Sequence, residues 1–383
     1  MALGGCDVAE VDGLVATGTD ADVDVRVDAD VGADVVEVGG SERVVSLAGL
    51  GARGEAREDL FPDLSGDDLV WVQSWLDVSA PGVNAETQCL SCPYCNGCRW
   101  DLMYRRLPAG PPEVLSTGAS PRSGPLVGDG VIVWLDDAGN VVLRDLVTAE
   151  VTRVPALTWL SATPTPHGGR LWWWGYDSLS GSYGLISYDR KNGVLKSGLS
   201  VYLQDPNASA SSSLSGLSRR QPFTVTDDAV LFALWEETIS IQQWSFTGNA
   251  TPVIKDPQRS HLRVLQRADG ALVTLSYDNT DGCQTAACAL AFTAFVGEAE
   301  TPLAPDAVPT RYVPPVVAGD RLLWVDHRDG AYAVYGVGPD GAELRLSSDE
   351  AEIGAVSSIA ASGRRVVWAD HRSGRWRLMA RDW

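Results

Sequence analysis

Two short stretches near the end of the chain decide the fold. Trp324-Val325-Asp326-His327-Arg328-Asp329-Gly330 and Trp368-Ala369-Asp370-His371-Arg372-Ser373-Gly374 carry Trp, Asp, His, Arg and Gly at the same offsets. An apolar run precedes each stretch, and a second run rich in apolar and aromatic residues follows it. Two such runs joined by a polar turn that contains Gly predict a β-hairpin.

The same unit recurs along the chain. Seven segments open with a Gly/Asp turn and continue as an apolar run, with a mean spacing of about 50 residues; they begin at Gly66, Gly128, Gly168, Asp227, Asp269, Gly319 and Gly363. In the sixth copy an apolar stretch (313–318) precedes the hairpin, and a second turn with a further strand (338–346) follows it. Each unit therefore predicts four short antiparallel strands, which make one blade of a β-propeller.

The repeated pattern resembles a known family. The last two copies have apolar residues, then Trp-x-Asp-x-Arg-x-Gly, then an aromatic-apolar strand. This order is similar to that of the TolB-like β-propeller repeats of bacterial envelope proteins. The resemblance covers roughly residues 42–383 and is strongest in the last two copies. It implies an all-β fold and an exported protein, but it implies no particular reaction, because propellers carry many unrelated functions.

The two ends of the repeat region predict how the ring closes. The seventh unit reaches Trp383 after only three strands, whereas residues 42–47 match the fourth-strand pattern of residues 342–347. We therefore predict that this N-terminal strand completes the last blade and removes the open edge. Seven blades are expected. Six is the alternative, if the weaker fourth and fifth segments share a blade or one of them is an insertion.

The segment before the propeller has a different composition. Between Asp7 and Gly40 there are ten acidic residues and one basic residue, Arg26, and no aromatic residue. The Val/Asp alternation at 22–28 has the period of a strand, but like charges on one face favour an extended linker. Asp-x-Asp spacing suggests calcium, although the remaining features of an EF-hand loop are missing. We predict a lipobox-like segment and acidic disordered linker over 1–40 and a propeller domain over 41–383.

A possible lipid anchor lies at the start of the chain. Leu3-Gly4-Gly5-Cys6 resembles a bacterial lipobox, which makes Cys6 the lipidation candidate. The five residues before Cys6 lack the basic and apolar regions of a signal peptide, so either the natural chain starts further upstream or the match is chance. The expected location is outside the cytoplasm, as an outer-membrane or cell-surface lipoprotein or in the periplasm.

The other six cysteines predict disulfides. They are Cys89, Cys92, Cys95, Cys98, Cys283 and Cys288. An even number of cysteines suits disulfide pairing, and three bridges would suit an oxidising compartment. A nested arrangement would place a Cys92–Cys95 bridge inside a Cys89–Cys98 bridge. Metal binding by the first four is the alternative, but their spacing fits neither zinc knuckles nor ferredoxin-type runs. No cofactor is expected.

The cysteine-bearing insertions also predict a recognition face. Residues 77–98 and 279–288 both join the second and third strands of their blades, so both should emerge on one face of the ring. Stapled long loops are typical binding elements, although they could merely cap the ring. The repeated Asp326, Arg328, Asp370 and Arg372 are expected to fix their turns and to pair with the neighbouring blade, not to act in catalysis.

Composition and motifs limit the functions that the sequence can have. The formal net charge of −20 argues against nucleic-acid binding and against electrostatic docking on an anionic membrane, which leaves a lipid anchor as the expected membrane contact. No nucleophile elbow, zinc-protease motif or phosphate-binding loop is present. We predict a monomeric, non-catalytic binding or scaffold propeller with an unknown protein or polysaccharide partner. The alternative is a glycosidase- or lyase-like enzyme that acts on a carbohydrate or peptide polymer in the central channel.

Overall fold

The computed structural model describes most of the repeat region. The described residues are 37–38, 42–46, 57–81, 83, 89, 97–117, 124–136, 138–154, 162–177, 182–197, 223–234, 240–246, 250–255, 259–278, 289–297, 299–310, 313–354 and 358–383. Cys6 and the predicted linker up to residue 36 lie outside them. No helix in the described part has the length and apolar character needed to cross a bilayer.

The described residues form 29 strands in seven antiparallel sheets, one sheet per blade. Blade 1 contains β3 (Arg57–Ser65), β4 (Asp68–Leu76), β5 (Cys98–Arg106) and β6 (Glu113–Thr117). Blade 2 contains β7 (Leu126–Gly128), β8 (Val131–Leu135), β9 (Val141–Asp145) and β10 (Val151–Val154). Blade 3 contains β11 (Thr165–His167), β12 (Arg170–Asp177), β13 (Ser182–Asp189) and β14 (Val194–Ser197).

The second half of the ring repeats this plan. Blade 4 contains β15 (Phe223–Val225), β16 (Ala229–Leu234), β17 (Ser240–Ser245) and β18 (Ala250–Lys255). Blade 5 contains β19 (Arg259–Gln266), β20 (Leu272–Asp278), β21 (Leu290–Val296) and β22 (Ala299–Leu303). Blade 6 contains β23 (Val316–Ala318), β24 (Arg321–Asp326), β25 (Ala333–Val337) and β26 (Glu343–Arg345). The weak fourth and fifth repeats thus form separate blades, and the six-blade alternative is wrong.

Blade 7 is assembled from both ends of the propeller. Its first three strands are β27 (Ile359–Ser362), β28 (Arg365–Asp370) and β29 (Arg377–Asp382), and β2 (Glu42–Val44) pairs with β29 as the fourth. The predicted closure by the N-terminal strand is therefore confirmed. A short strand, β1 (Glu37–Val38), pairs with the outer edge of β2 and lies within the segment predicted as linker.

The closing strand reproduces the contacts of an ordinary fourth strand. In blade 7 the Leu378 amide donates to Ser46 Oγ at 2.8 Å. In blade 6 the Val334 amide donates to Ser347 Oγ at 3.0 Å, in the same position of the blade. The sequence match between residues 42–47 and 342–347 therefore corresponds to equivalent hydrogen bonds.

Tryptophans on the second strands fill the space between blades. Trp71, Trp173, Trp324 and Trp368 each occupy the fourth position of their strand and are fully buried. Trp172 and Trp173 are both buried but pack with different clusters, one shared with blade 4 and one with blade 2, because side chains alternate along a strand. Packing between blades thus accounts for these two rings.

The topology defines two faces of the ring. Because successive strands of a blade are antiparallel, the turns between strands one and two and between strands three and four emerge on one face, called here the turn face. The connections between strands two and three, together with those between blades, emerge on the opposite face, called here the loop face. The strands β4 and β20 end on the loop face, and β5 and β21 begin there, whereas the insertion 279–288 lies outside the described residues.

Candidate functional site

The repeated Asp-x-Arg turns are anchored in the protein interior. Asp326 is fully buried, and its carboxylate accepts hydrogen bonds from Trp324 Nε1 at 2.6 Å and from Arg328 Nη2 at 2.8 Å. The Val308 amide, in the connection from blade 5, donates to it at 3.2 Å. Burial acts to raise the pKa of Asp326, but the hydrogen bonds from Arg328 and Trp324 hold that pKa below its ordinary value. Asp326 thus joins its turn to the preceding inter-blade connection.

Asp370 makes the equivalent set of contacts in blade 7. Its carboxylate accepts hydrogen bonds from Trp368 Nε1 at 3.3 Å and from Arg372 Nη2 at 2.6 Å. The Glu352 amide, in the connection from blade 6, donates to it at 3.3 Å. The carboxylate is therefore occupied by donors from its own turn and from the neighbouring connection.

Each turn arginine also binds a glutamate on the fourth strand of its own blade. Arg328 Nη1 lies 2.6 Å from Glu343 Oε2, and Arg372 Nη2 lies 2.9 Å from Glu42 Oε2. Glu42 is therefore the blade 7 counterpart of Glu343. All four repeated turn residues singled out in the sequence, Asp326, Arg328, Asp370 and Arg372, are held in such buried or part-buried contacts.

The same two turns each bring a histidine and a part-buried aromatic ring together on the loop face. The ring centroids of His327 and Tyr332 lie 4.5 Å apart, and those of His371 and Trp376 lie 5.2 Å apart. His327 is exposed, and 40% of the His371 side chain is exposed. Sequence reasoning treated both histidines as turn residues and missed the pairing. The available signal was the recurrence of an aromatic residue five positions after each histidine.

An acidic side chain from blade 1 lies next to the turn of blade 7. Glu58 lies near the loop-face end of β3. Its side chain is partly buried and makes no hydrogen bond or ion pair to any residue that the structure describes. Burial raises its pKa, against the favourable charges of His371 and Arg375. The Asp59 amide donates to the Trp376 carbonyl at 2.9 Å, which fixes the two blades together at this point.

We call this group the blade 7–1 site. Its members come from the start of β3, from the connection between blades 6 and 7, and from the second-to-third strand turn of blade 7: Glu58, Glu352, His371, Arg375 and Trp376. His371 Nδ1 lies 3.5 Å from Glu352 Oε2. The site therefore combines two carboxylates, an imidazole, a guanidinium and an indole on one face of the ring.

Blade 1 differs from blades 6 and 7 in the residue that supplies the buried carboxylate. Gln73 stands where the other two blades have Asp326 and Asp370, and the carboxylate comes instead from Asp59 on the inner strand. Asp59 is fully buried, and its Oδ1 accepts hydrogen bonds from Trp71 Nε1 at 2.7 Å and from Gln73 Nε2 at 2.9 Å. Burial raises the pKa of Asp59 despite these donors.

The insertion of blade 1 is stapled on the loop face. Cys89 and Cys98 form a disulfide, which is the outer pair of the predicted nested arrangement, and both are buried against Trp100 and Leu102. The remaining cysteine candidates lie outside the described residues: Cys92, Cys95, Cys283 and Cys288. Nowhere in the described ranges do three His, Cys, Asp or Glu side chains meet as a metal site requires.

An open cleft of about 570 Å³ lies on the turn face between blades 7 and 1. Arg365 lines this cleft and forms ion pairs with Asp67 at 3.1 Å and with Asp382 at 2.8 Å. These two carboxylates therefore face a shared cation and are not arranged as a free acid and base pair for catalysis.

The protein resembles known β-propellers in structure. No protein-family model matches the sequence, and no curated protein matches it. Oligogalacturonate lyase in complex with manganese aligns with a TM-score of 0.57 and 12% identity, over 91% of this chain and 95% of that one. The β-propeller domain of the Trilobed protease from Pyrococcus furiosus aligns with a TM-score of 0.57 and 9% identity, over 85% and 95%.

TolB from Acinetobacter baumannii also matches, with a TM-score of 0.42 and 13% identity, over 65% of this chain and 60% of that one. Against puromycin hydrolase, another match, the chain spans half the length (50%). The neighbours thus include peptidases, a lyase and TolB, and what they have in common with this chain is the propeller fold.

Proposed function

We propose that this chain is a monomeric binding propeller of the bacterial envelope that recognises a protein partner through its loop face. The observation that carries the proposal is the repeated pairing of a histidine with an aromatic ring, His327 with Tyr332 and His371 with Trp376, on two adjacent blades. Because both pairs lie on the face that carries the stapled insertion, a partner could contact all three elements at once.

The chemistry of these residues supports a protein partner. Trp, Tyr and Arg supply most of the binding energy in protein interfaces, and they are effective when held rigidly. Here each aromatic ring follows a turn that a buried carboxylate fixes, Asp326 for Tyr332 and Asp370 for Trp376. Little conformational entropy would therefore be lost when a partner binds.

The proposed location outside the cytoplasm has support of its own. The Cys89–Cys98 disulfide suits an oxidising compartment. The lipobox-like sequence that ends at Cys6 adds the proposal of a lipid anchor, which intact-mass analysis of protein purified from membranes would test.

Site-specific photo-crosslinking in the native host tests the function. A photoreactive residue at Ser373, on the loop face, should capture a defined protein, whereas one at Val147, which is 90% exposed on the turn face, should not. The double substitution Tyr332→Ala, Trp376→Ala should abolish the crosslink at position 373. As a matched aromatic control, Phe246→Ala on the turn face should leave it intact. Equal crosslinking from both faces would contradict the proposal.

A second candidate function is a glycosidase- or lyase-like reaction on a polymer. Glu58 favours it, because a carboxyl whose pKa is raised by burial has the property that a general acid needs. Release of products from a polysaccharide or peptide polymer, abolished by Glu58→Gln, would establish this alternative in place of the binding function.

A further inference from the structure

We propose that the contact between blades 7 and 1 is a pH-sensitive switch: a proton on Asp59 keeps blade 1 packed against the segment that closes the ring, and loss of that proton loosens the contact. The switch acts on the conformation of the ring, whatever partner the loop face binds. Three observations support it: the position of Asp59, its unpaired buried oxygen, and the different arrangement at two equivalent contacts of the same chain.

Asp59 lies where blade 1 meets the closing segment of blade 7. Its amide donates to the Trp376 carbonyl at 2.9 Å, and its Oδ1 accepts a hydrogen bond from Trp71 Nε1 at 2.7 Å. Trp71 belongs to the same buried cluster as Val45, which directly follows β2. The Val45 carbonyl accepts a hydrogen bond from Arg105 Nη1 of blade 1 at 2.8 Å. A change of charge at Asp59 therefore acts on the contact that completes the ring.

One oxygen of Asp59 is buried without a hydrogen-bond partner. The residue is fully buried, and Oδ1 accepts from Trp71 and Gln73, whereas Oδ2 has no partner among the described residues. A charged carboxylate withdrawn from water in this way is unfavourable, and a protonated carboxyl costs much less. The guanidinium on the same strand does not neutralise it, because Arg57 Nη1 donates to Gln73 Oε1 at 2.8 Å and no described residue forms an ion pair with Asp59.

The other charged groups do not remove this cost. The titratable and charged side chains on the elements packed around Asp59 come from blades 1 and 7: Arg57, Glu58, Asp101, His371, Arg375 and Arg377. Burial raises the pKa of Asp59, and neither its hydrogen-bond donors nor the charge of Arg377 offsets this effect. His371 and Arg375 act on the neighbouring Glu58, whose pKa burial also raises. The closed contact therefore favours the protonated form of Asp59.

Blades 6 and 7 solve the same problem with an arginine. Asp326 and Asp370 each accept a hydrogen bond from the arginine two residues later, at 2.8 Å and 2.6 Å. In blade 1 these two positions are occupied by Gln73 and Trp75. Of these three buried carboxylates, the one at the contact between blades 7 and 1 thus relies on a proton instead of a cation.

Hydrogen exchange followed by mass spectrometry between pH 4.5 and pH 8 tests the switch in the natural chain. The amides to compare are those of Asp59, Thr310 and His371, which donate to carbonyls at the 7–1, 5–6 and 6–7 contacts at 2.9, 3.1 and 2.9 Å. After correction for intrinsic exchange, opening at Asp59 should become at least about fivefold more frequent, because each opening releases a proton and one released proton gives up to about a tenfold rise per pH unit. The frequency should level off once pH exceeds the folded pKa. Opening at the other two amides should change by less than about twofold, because an arginine neutralises the carboxylate there.

Three variants assign the effect to Asp59. Asp59→Asn removes the titrating group and should abolish the pH dependence at the 7–1 contact. Glu58→Gln removes the neighbouring carboxyl, which is only partly buried, and should keep most of the rise. Asp145→Asn, on the turn face, should keep all of it. Thermal melting of Asp59→Asn at pH 4.5 shows whether that variant is folded.

Three results would overturn the proposal. A rise of the same size at all three contacts would mean that Asp59 titrates only on global unfolding, and a flat profile at Asp59 would mean that its proton does not control the contact. A full rise in folded Asp59→Asn would assign the effect to another group. If Asp59→Asn does not fold, the comparison of the three contacts in the natural chain decides.

Discussion

Glu42 and Arg372 form an ion pair of 2.9 Å across 330 residues of sequence. Glu42 begins the strand that closes the ring, and its side chain is 1% exposed. The equivalent pair in blade 6, Glu343 with Arg328, lies within a continuous part of the chain, and the Glu343 side chain is 23% exposed. The contact that closes the ring is therefore the more buried of two otherwise matching interactions.

Removal of the closing contact should destabilise the propeller more than removal of its counterpart. We expect Glu42→Gln to lower the free energy of unfolding by about 1.5–3 kcal/mol, because it replaces a buried charge-assisted contact to Arg372, which then keeps the buried Asp370 as its carboxylate partner. Glu343→Gln should cost about 1 kcal/mol, because water can solvate the more exposed Arg328 pair. Urea denaturation of both variants measures the difference, and equal losses would show that burial at the closure has no special effect.

Neutralisation of Asp59 should stabilise the protein near pH 7. Because burial raises its pKa in the folded state, the protonated form is favoured on folding. The corresponding stability is complete below the unfolded pKa and is lost as pH rises through the folded pKa. Asp59→Asn should therefore be more stable than the natural chain at pH 7, with the difference shrinking towards pH 4.

Denaturation curves at several pH values between 4 and 8 measure this effect, and Asp145 provides a control of opposite sign. Amides of Thr148 and Val147 donate to its exposed carboxylate and lower its pKa. Asp145→Asn should therefore be less stable than the natural chain at pH 4 and above, and curves extended to lower pH should show this deficit shrinking as pH falls through the lowered pKa. Parallel pH profiles for the two variants would contradict the assignment.

Two equivalent tryptophans should respond differently to the same substitution. Trp324 Nε1 donates to Asp326 at 2.6 Å, whereas Trp173 has Gly175 at the corresponding position, and its buried Nε1 makes no hydrogen bond within the described part of the chain. Trp324→Phe should cost about 1–3 kcal/mol more than Trp173→Phe, because only the former leaves a buried carboxylate short of a donor. Thermal unfolding of the two variants tests this, and a larger loss for Trp173→Phe would refute it.

The disulfide of blade 1 should contribute measurably to stability. The sequence separation of Cys89 and Cys98 is 9, and cross-linking a loop of this size stabilises by about 2–3 kcal/mol in the chain-entropy description. The double variant Cys89→Ala, Cys98→Ala should show that loss, together with faster proteolysis within residues 77–97. If its melting temperature and cleavage pattern match those of the natural chain, the bridge is dispensable.

The closure of the ring could be predicted from the sequence because the closing strand carries the same short motif as an ordinary fourth strand. Glu42 and Ser46 repeat the positions of Glu343 and Ser347, and the pairing follows from the missing fourth strand of the last blade. The turn residues Asp326 and Asp370 were equally visible, because the motif that identifies the fold also contains them.

The residues of the candidate site were harder to predict from the sequence. The sequence Arg57-Glu58-Asp59 does not show which of the two acidic side chains accepts the hydrogen bond from Trp71 and which lacks a side-chain partner. The difference between the two side chains depends on the neighbouring blade. The strand is also irregular: the pairing register shifts between Leu60 and Asp63, and Phe61 has a φ of 54°. Such a bulge interrupts the simple alternation from which side-chain direction is read.

The strand that closes the ring also constrains the order of folding. Ribosomal synthesis makes β2 among the first strands, yet its partner β29 is among the last residues of the chain. Blades 1 to 6 consist of neighbouring strands and can form locally as they are made, whereas blade 7 requires contacts of the longest possible range. β2 is therefore made before blades 1 to 6 but finds its place only after them, and until then the growing chain exposes an unpaired edge that a chaperone or a second copy could occupy.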